Sequence, residues 1–346
     1  MLMSSEITII IPTKNRSHFL SNCIEYYVLN NFKGSLMILD SSNIKEKNRN
    51  KEITFKFKQK IKLQVFYKDD FPTQIIKNFI KKVKTKYCIM ASDDDFYIIK
   101  TINYFVNYLN THKNINIING KALRLDIVNT DRVLVNKYFI SDKLNKGYPL
   151  ERVSNYINEY GPINTSIIST KYLVNILGLT PSKRELKTKC PIRSINDEIL
   201  VGALMVLSSK IIHKDKLFLI RTIHGNNSNL PKDHNKKKLD KSIDFFIKTI
   251  KKFADKYLYL SENNDGYETL RKDMYQIFKK NSIQLKVKIK FYSYLKFIKS
   301  YFYNYSTIRF IINKLRNKRN LLDNYIKNEL QFYRELKKVK SFIIKT

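Results

Sequence analysis

Three consecutive carboxylates, Asp93, Asp94 and Asp95, follow a short apolar run in the stretch MASDDDFYI. Adjacent like charges repel one another, and burial disfavours their ionised forms unless a cation compensates. A divalent metal ion held by hard oxygen ligands is one such cation, so the triplet is a candidate site for Mn²⁺ or Mg²⁺. The structural alternative is a cap on the following helix, but one carboxylate suffices for a cap, and three favour metal binding.

The chain before the triplet alternates between strand and helix patterns. Apolar residues three and four apart predict one helix that Ser17 caps and that runs to about Asn30, and a second helix from Pro72 to about Val83. This alternation with short connections is typical of right-handed βαβ units in an α/β fold with a mostly parallel sheet. Strands are predicted over 7–11, 35–39, 63–67 and 87–91, and the continuous β-branched run 7–11 is typical of a strand buried on both faces.

Polar residues recur where these predicted strands end. Thr13 and Arg16 follow the first strand, and Asp40 and Ser41 follow the second, just as the acidic triplet follows the fourth. Open α/β sheets bind ligands in the crevice outside the carboxyl ends of their strands. We therefore expect these side chains to contribute to one site.

The remainder of the chain is predicted less regularly. We expect a helix over about 100–112, a helix that opens at Asn196 or Asp197 and runs to Leu207, and a strand over 216–221. The polar stretch PKDHNKKK reads as a linker, and the pattern after it is helical and basic. This division gives a catalytic domain over 1–231 and a mainly helical region over 232–346. Two further strands are expected in INIING and KALRLDIV.

Composition narrows the class of protein. The 346 residues include 65 Lys and Arg against 30 Asp and Glu, a net charge of +35 that attracts nucleic acid, anionic lipid or phosphorylated small molecules. The three cysteines lack metal-binding spacing and indicate a reducing compartment. The first residues lack the pattern of a secretion signal, and no apolar run is long enough to span a bilayer. We expect a cytoplasmic protein, with peripheral association at the inner face of the membrane as an option.

Several motifs together resemble the family 2-like glycosyltransferases of the GT-A fold. ITIIIPTKNR resembles the first strand and nucleotide-contacting loop of the family, and LDSS resembles its acidic turn for the nucleobase and ribose. The most specific segment is KNFIKKVKTKYCIMASDDD, in which Asn78 precedes Asp93 by 15 positions as in the family. A bacterial subgroup with "DSS" and "DDDF" is the most similar. The resemblance implies a Rossmann-like GT-A domain followed here by a helical region.

The resemblance also implies roles for individual residues. Asp197, or Glu198 next to it, would be the general base that deprotonates a hydroxyl acceptor in an inverting transfer from a nucleotide diphosphate sugar. The metal, Mn²⁺ or Mg²⁺, would be bound by Asp93, Asp95 and His224. Arg221 could add positive charge near the phosphates. The nucleotide sugar would be bound by Pro12, Thr13, Arg16, Asp40, Ser41, Lys77, Asn78, Asp93 and Asp94.

The sequence departs from the family pattern in three places, and in one of them KVKTKY replaces the common Gly-rich stretch before the fourth strand. Asp40 is followed by two serines rather than by the usual D-D-G-S turn, so donor preference cannot be transferred. The segment 125–165, where acceptors are usually recognised, matches no known pattern. Two other classes stay open: a metal-dependent nuclease or phosphotransferase, and a non-catalytic basic interaction protein on a degenerate GT-A scaffold.

The partners expected are a nucleotide-sugar donor and a glycan, lipid-linked or protein acceptor. The stretch KVKIKFYSYLKFIKSYFYNY interleaves lysine with aromatic residues. It could pack as an amphipathic helix on the catalytic domain or on a second copy, or lie on anionic lipid. Nucleic acid is the least favoured partner, because no known nucleic-acid-binding module accompanies this stretch.

Overall fold

The structure is a computed structural model. It describes residues 4–129, 132–138, 142–145, 147–159, 165–192, 195, 199–223, 236–258 and 265–276, with side chains omitted for 123–143 and for a few residues at element ends. The candidate general bases Asp197 and Glu198, the candidate ligand His224 and the stretch 286–305 lie outside these residues.

Residues 7–90 form four parallel strands separated by helices. β1 is paired on one side with β2, which pairs with β3, and on the other side with β4. Its interior is a run of β-branched residues buried on both faces, as the sequence predicts. The elements are β1 (Ile7–Thr13), α1 (Ser17–Leu29), β2 (Ser35–Asp40), α2 (Ile44–Phe57), β3 (Lys62–Tyr67), α3 (Pro72–Phe79) and β4 (Tyr87–Met90).

The described residues from Asp95 onward extend the same sheet with both parallel and antiparallel pairing. The elements are β5 (Asp95–Tyr97), α4 (Ile99–Thr111), β6 (Ile117–Asn129), β7 (Arg132–Tyr138), α5 (Pro149–Glu159), β8 (Ile167–Ser169), α6 (Thr170–Leu179), α7 (Lys183–Lys189), α8 (Leu200–Ser208), β9 (Ile211–Ile223) and α9 (Lys236–Leu258). The strand order is β3-β2-β1-β4-β8-β6-β9-β5, with β7 paired to β6. The antiparallel pair β5–β9 places Asp95 opposite Arg221.

Hydrophobic clusters cover both faces of the sheet. α1 and α4 pack on one face, whereas α3, α5, α6 and α8 pack on the other. α9 also belongs to the second cluster, through buried side chains that include Phe246 and Ile250, and the adjoining helical residues 265–276 contribute Leu270 and Met274. α9 and residues 265–276 therefore pack on the α/β core. None of the helices in the described ranges is long and apolar enough to cross a bilayer.

The expected α/β architecture is confirmed, and several details of the prediction are wrong. Ser17 is the first residue of α1 rather than its cap, which is Arg16. The two strands expected over INIING and KALRLDIV are one strand, β6. The linker predicted over 231–238 overlaps the start of α9, which begins at Lys236. α2 was not predicted, since its lysine-rich sequence buries only Asn50, Thr54 and Phe57 and shows a weak apolar stripe.

Candidate active site

The acidic triplet occupies the turn between β4 and β5, at the carboxyl edge of the parallel strands. The three residues are almost fully buried, with 1%, 4% and 2% of their surfaces exposed. An isolated buried carboxylate is costly, so such residues are paired, hydrogen-bonded or bound to a metal. The contacts of the triplet decide which of these applies.

Arg16 supplies a positive charge to two of the three carboxylates. Its Nη1 lies 3.1 Å from Oδ1 of Asp93, and its Nη2 donates to Oδ2 of Asp94. The guanidinium carbon also lies 4.5 Å from the ring centre of Phe19. Burial lowers the pKa of Arg16, but attraction by Asp93 and then Asp94 outweighs burial and raises it overall. The loop after β1 thus compensates the triplet with a protein cation.

Three hydroxyl groups hold the triplet, and two of them come from other segments of the chain. Thr13 Oγ1, at the end of β1, donates to Oδ2 of Asp93 at 2.7 Å. Ser92 Oγ donates to Oδ1 of Asp94, and Thr222 Oγ1, near the end of β9, donates to the Asp94 carbonyl oxygen at 2.6 Å. Ser92 was missed because a hydroxyl residue beside a charged motif is too common to single out, and Thr222 was missed because it lies 128 residues from Asp94 in the sequence.

The protonation of the triplet is finely balanced. Burial, followed by repulsion from Asp94, raises the pKa of Asp93 to about 6, although Arg16 and Thr13 oppose the rise. Burial and repulsion from Asp94 likewise raise the pKa of Asp95 to about 7, against attraction by Arg221 and a hydrogen bond from the Thr222 backbone. Both carboxylates therefore change charge between slightly acidic and neutral pH.

Asp95 is the member of the triplet best suited to a cation. Its Oδ1 is buried and accepts no hydrogen bond from the residues that the structure describes. Hard carboxylate oxygen is the ligand type that Mg²⁺ and Mn²⁺ prefer. Asp93 and Asp94 direct their oxygens to Arg16, Thr13 and Ser92 instead. Asp95 thus fits a metal ion, while the described part of the chain holds no cluster of three acidic, His or Cys ligands.

The turn after β2 was predicted to contact the nucleobase. Asp40 is fully buried there, and its carboxylate accepts from the Ser42 backbone N–H at 2.8 Å and from Asn50 Nδ2 at 3.0 Å. Ser41 Oγ donates to the carbonyl oxygens of Lys68 and Asp70, at 2.9 and 3.1 Å. Pro12 lies in β1 opposite Leu39 of β2, next to this turn.

Lys77 and Asn78 of α3 bond to residues outside the triplet. Lys77 Nζ donates to the carbonyl oxygen of Thr180, and Asn78 Nδ2 lies 3.3 Å from Oδ2 of Asp70. Burial lowers the pKa of Lys77, against a smaller opposing effect of Glu185. These hydrogen bonds connect the two predicted donor ligands to Thr180 and Asp70, and their role toward a donor stays a prediction.

Asp70 is another buried carboxylate outside the triplet. The sequence indicated it only as the end of a strand. Its Oδ1 accepts from the Phe71 backbone N–H at 3.0 Å and lies 3.1 Å from Lys183 Nζ. Through Lys183 it joins the start of α3 to the start of α7, and Asn78, near the end of α3, also bonds to it. These contacts explain its burial without a ligand.

Comparison with solved structures places the fold among known proteins. The structure of residues 1–349 of TarS from S. aureus in complex with UDP-GlcNAc matches with a TM-score of 0.54 and 14% identity, over 82% of this chain and 77% of that chain. TarS 1–349 in a second crystal structure gives 0.51 and 13%, over 79% of this chain and 71% of that one. The predicted GT-A fold with its Rossmann-like sheet is confirmed.

A mannosyltransferase from Pyrobaculum calidifontis, solved with GDP-Man and Mn²⁺, matches over 98% of this chain and 86% of that one. Its TM-score is 0.45 and its identity is 9%. A score at this level adds nothing to the assignment of the fold. No protein-family model matches the sequence, and no curated protein matches it significantly.

Proposed function

We propose that the protein transfers a sugar from a nucleotide diphosphate sugar to a hydroxyl acceptor, with Mn²⁺ or Mg²⁺ bound at the acidic triplet. The observation that carries this proposal is the buried Asp95 oxygen without a hydrogen bond among the described residues, set beside the Arg16–Asp93 pair at the carboxyl edge of a GT-A sheet. Ligands of open α/β sheets bind at this edge. The fold alone would not carry the proposal.

The residues around the triplet have separate tasks in this proposal. Asp95 would bind the metal, and the metal would offset negative charge on the departing nucleoside diphosphate. Arg16 carries a charged, partly exposed guanidinium, which can bind phosphate oxygens through two parallel hydrogen bonds. Thr13 fixes the orientation of Asp93. His224, as a further metal ligand, remains a proposal.

The transfer itself is proposed from the family resemblance. A hydroxyl oxygen of the acceptor would form a bond to the anomeric carbon while the bond from that carbon to the diphosphate oxygen breaks. The hydroxyl proton would pass to Asp197, or to Glu198 in its place. Attack from the face opposite the leaving group would invert the anomeric carbon.

UDP-GlcNAc is the first donor to test, because TarS 1–349, which has the same fold, was solved with it. Calorimetric titration of UDP-GlcNAc and other nucleotide sugars, with Mn²⁺ or with EDTA, measures donor binding. We expect one donor to bind with Mn²⁺ and not with EDTA. We also expect the protein to release the nucleoside diphosphate of that donor slowly. Phosphodiester cleavage without any donor would favour the nuclease class, and absence of all nucleotide binding would favour a non-catalytic protein.

A further inference from the structure

We propose that Asp40 is a positioning residue for Arg16 and does not read the nucleobase. Asp40 is fully buried, and both of its carboxylate oxygens accept hydrogen bonds, one from the Ser42 backbone and one from Asn50. Because Asp40 has no exposed surface, a base entering the cleft could reach this carboxylate only if the side chains around it moved. The inference deepens the proposed function, since it takes Arg16 as part of the donor site.

The turn that Asp40 stabilises is fastened to the loop after β1. Asn15 donates its backbone N–H to Ser42 Oγ at 2.8 Å, and its side-chain Oδ1 accepts from the Asn43 backbone at 2.8 Å. The Ser41 backbone N–H donates to the Thr13 carbonyl oxygen at 2.9 Å. Three hydrogen bonds therefore connect the two segments.

Asn15 has a left-handed backbone, with a φ of 56°. This conformation costs an L-residue about 1 kcal/mol, and asparagine tolerates it better than most. Residues in such conformations persist where surrounding contacts determine them. Here the contacts are the bonds to Ser42 and Asn43, and the next residue along the chain is Arg16.

The path from Asp40 to the triplet is thus continuous. Asp40 orients Ser42, Ser42 holds the Asn15 backbone, and Asn15 directs the chain so that Arg16 reaches Asp93 at 3.1 Å. A long arginine side chain loses much rotamer freedom when it is fixed, so a fixed loop lowers the cost of placing its charge. Asp40 would act on the donor through this placement.

The chemistry of position 40 suggests two informative variants. In Asp40→Asn the Oδ1 can still accept from Ser42, and the new amide can donate to Asn50 Oδ1 if that side chain turns over. Asn50 Oδ1 is buried and has no hydrogen-bond partner in the described part of the chain. Asp40→Ala removes both bonds. Glu52→Ala is the matched control, because Glu52 is an exposed carboxylate on α2, the helix that carries Asn50.

Thermal unfolding without nucleotide tests the positioning by itself. We expect Asp40→Ala and Arg16→Gln each to lower the melting temperature. The double variant should lose less than the sum of the two shifts, because the first change already frees Arg16. Asp40→Asn should recover most of the loss, and Glu52→Ala should change little. Additive shifts would overturn the proposal, whether or not the protein binds a nucleotide sugar.

Donor binding separates positioning from base reading. In calorimetry with Mn²⁺ we expect Asp40→Ala to weaken UDP-GlcNAc about tenfold, as loss of one well-placed charge-assisted bond does. The Asp40→Ala, Arg16→Gln double variant should bind no more weakly than Arg16→Gln alone. The ratio of UDP to CDP and GDP affinities should stay constant. A changed ratio in Asp40→Asn would show that Asp40 reads the base.

Asn15 provides a second pair of variants if Asp40→Ala fails to fold. Asn15→Gly keeps the left-handed backbone without cost and loses only the side-chain bond, whereas Asn15→Ala loses the bond and adds backbone strain. We expect the alanine variant to weaken UDP-GlcNAc more than the glycine variant does. Equal effects would contradict a role for the loop conformation. If the wild type binds no nucleotide at all, the proposed function fails while the unfolding experiment still decides the positioning.

Discussion

Nη1 of Arg16 lies 3.1 Å from Oδ1 of Asp93, across a gap of 77 residues in the sequence. This pair joins the loop after β1 to the turn after β4, and only 2% of the Asp93 side chain is exposed. Arg16 therefore compensates the negative charge of two of the three carboxylates within the protein. The third, Asp95, is attracted by Arg221 and is the metal ligand in our proposal.

Removal of the guanidinium tests this pair. In Arg16→Gln, Asp93 would lose its cation, and breaking a buried ion pair by removing one partner costs about 3–5 kcal/mol. Because burial already raises the pKa of Asp93 to about 6, the protonated form is available at pH 5, and the loss should be smaller there than at pH 8. Urea unfolding at both pH values measures the difference. Arg49→Gln breaks a pair in which the Arg49 side chain is 54% exposed, and it should cost less than about 1 kcal/mol.

Asp95→Asn should stabilise the metal-free protein and abolish metal-dependent donor binding. The pKa of Asp95 is about 7 in the folded state against an ordinary value of 3.8. The folded state therefore holds more protons between these values, so this residue makes stability fall as pH rises from about 4 to 7. At pH 8 the variant should therefore unfold at a higher urea concentration than the wild type. Asp215→Asn, at a side chain that is 76% exposed, is the control.

Metal affinity should depend on pH through the same groups. A cation that binds ionised Asp95 must displace a proton below the pKa of about 7. We expect the affinity for Mn²⁺ to weaken up to about tenfold per pH unit below that value and to level off above it. Titration of Mn²⁺ between pH 5.5 and 8.5 measures this profile. A flat profile would show that Asp95 is not a ligand.

Kinetics test the proposed role of Asp197 as the general base. Asp197→Asn should lower kcat by about 10²–10⁴, the usual contribution of a positioned base, while donor affinity stays close to that of the wild type. Glu198→Gln is the matched variant at the neighbouring position. If Glu198→Gln alone abolishes turnover, the role passes to Glu198; if neither does, a base at this position is excluded.

The helical region after residue 231 should be needed for stability. Ile250 of α9 is fully buried in the cluster that also contains α8, and truncation of a buried isoleucine to alanine costs about 2–5 kcal/mol. Ile250→Ala should lower the free energy of unfolding by that amount, and exposed Lys248→Ala should not. A chain ending at residue 231 that unfolds as the full chain does would indicate a separate domain.

The sequence predicted the parts of the fold that local patterns determine. The β-branched run of β1 and the apolar stripe of α3 produced the correct elements. The triplet, Thr13 and Arg16 were expected at one edge because parallel strands end together, and their contacts confirm it. The resemblance to glycosyltransferases could not supply the contacts made here by Lys77 and Asn78, which bond to Thr180 and Asp70.

Other features depend on contacts between distant segments. β5 has three residues and is formed by pairing with β9, more than 120 residues later, so no local pattern indicates it. Thr222 reaches the triplet through the same pairing. Arg16 was expected at this edge as a ligand of the nucleotide sugar, but its pairing with Asp93 and Asp94 was not predicted, because the sequence does not show how a loop directs a side chain.

The short strand that begins at Asp95 makes this segment sensitive to length. Its three residues pair in fixed register with 219–221 of β9, and side chains alternate between the faces of a strand. Insertion or deletion of one residue before Asp95 would move each side chain of this strand to the opposite face of the sheet, although all three carboxylates would still be present. Homologous chains that diverge in composition here should therefore retain the spacing between Ala91 and Tyr97, and gaps in an alignment should fall elsewhere.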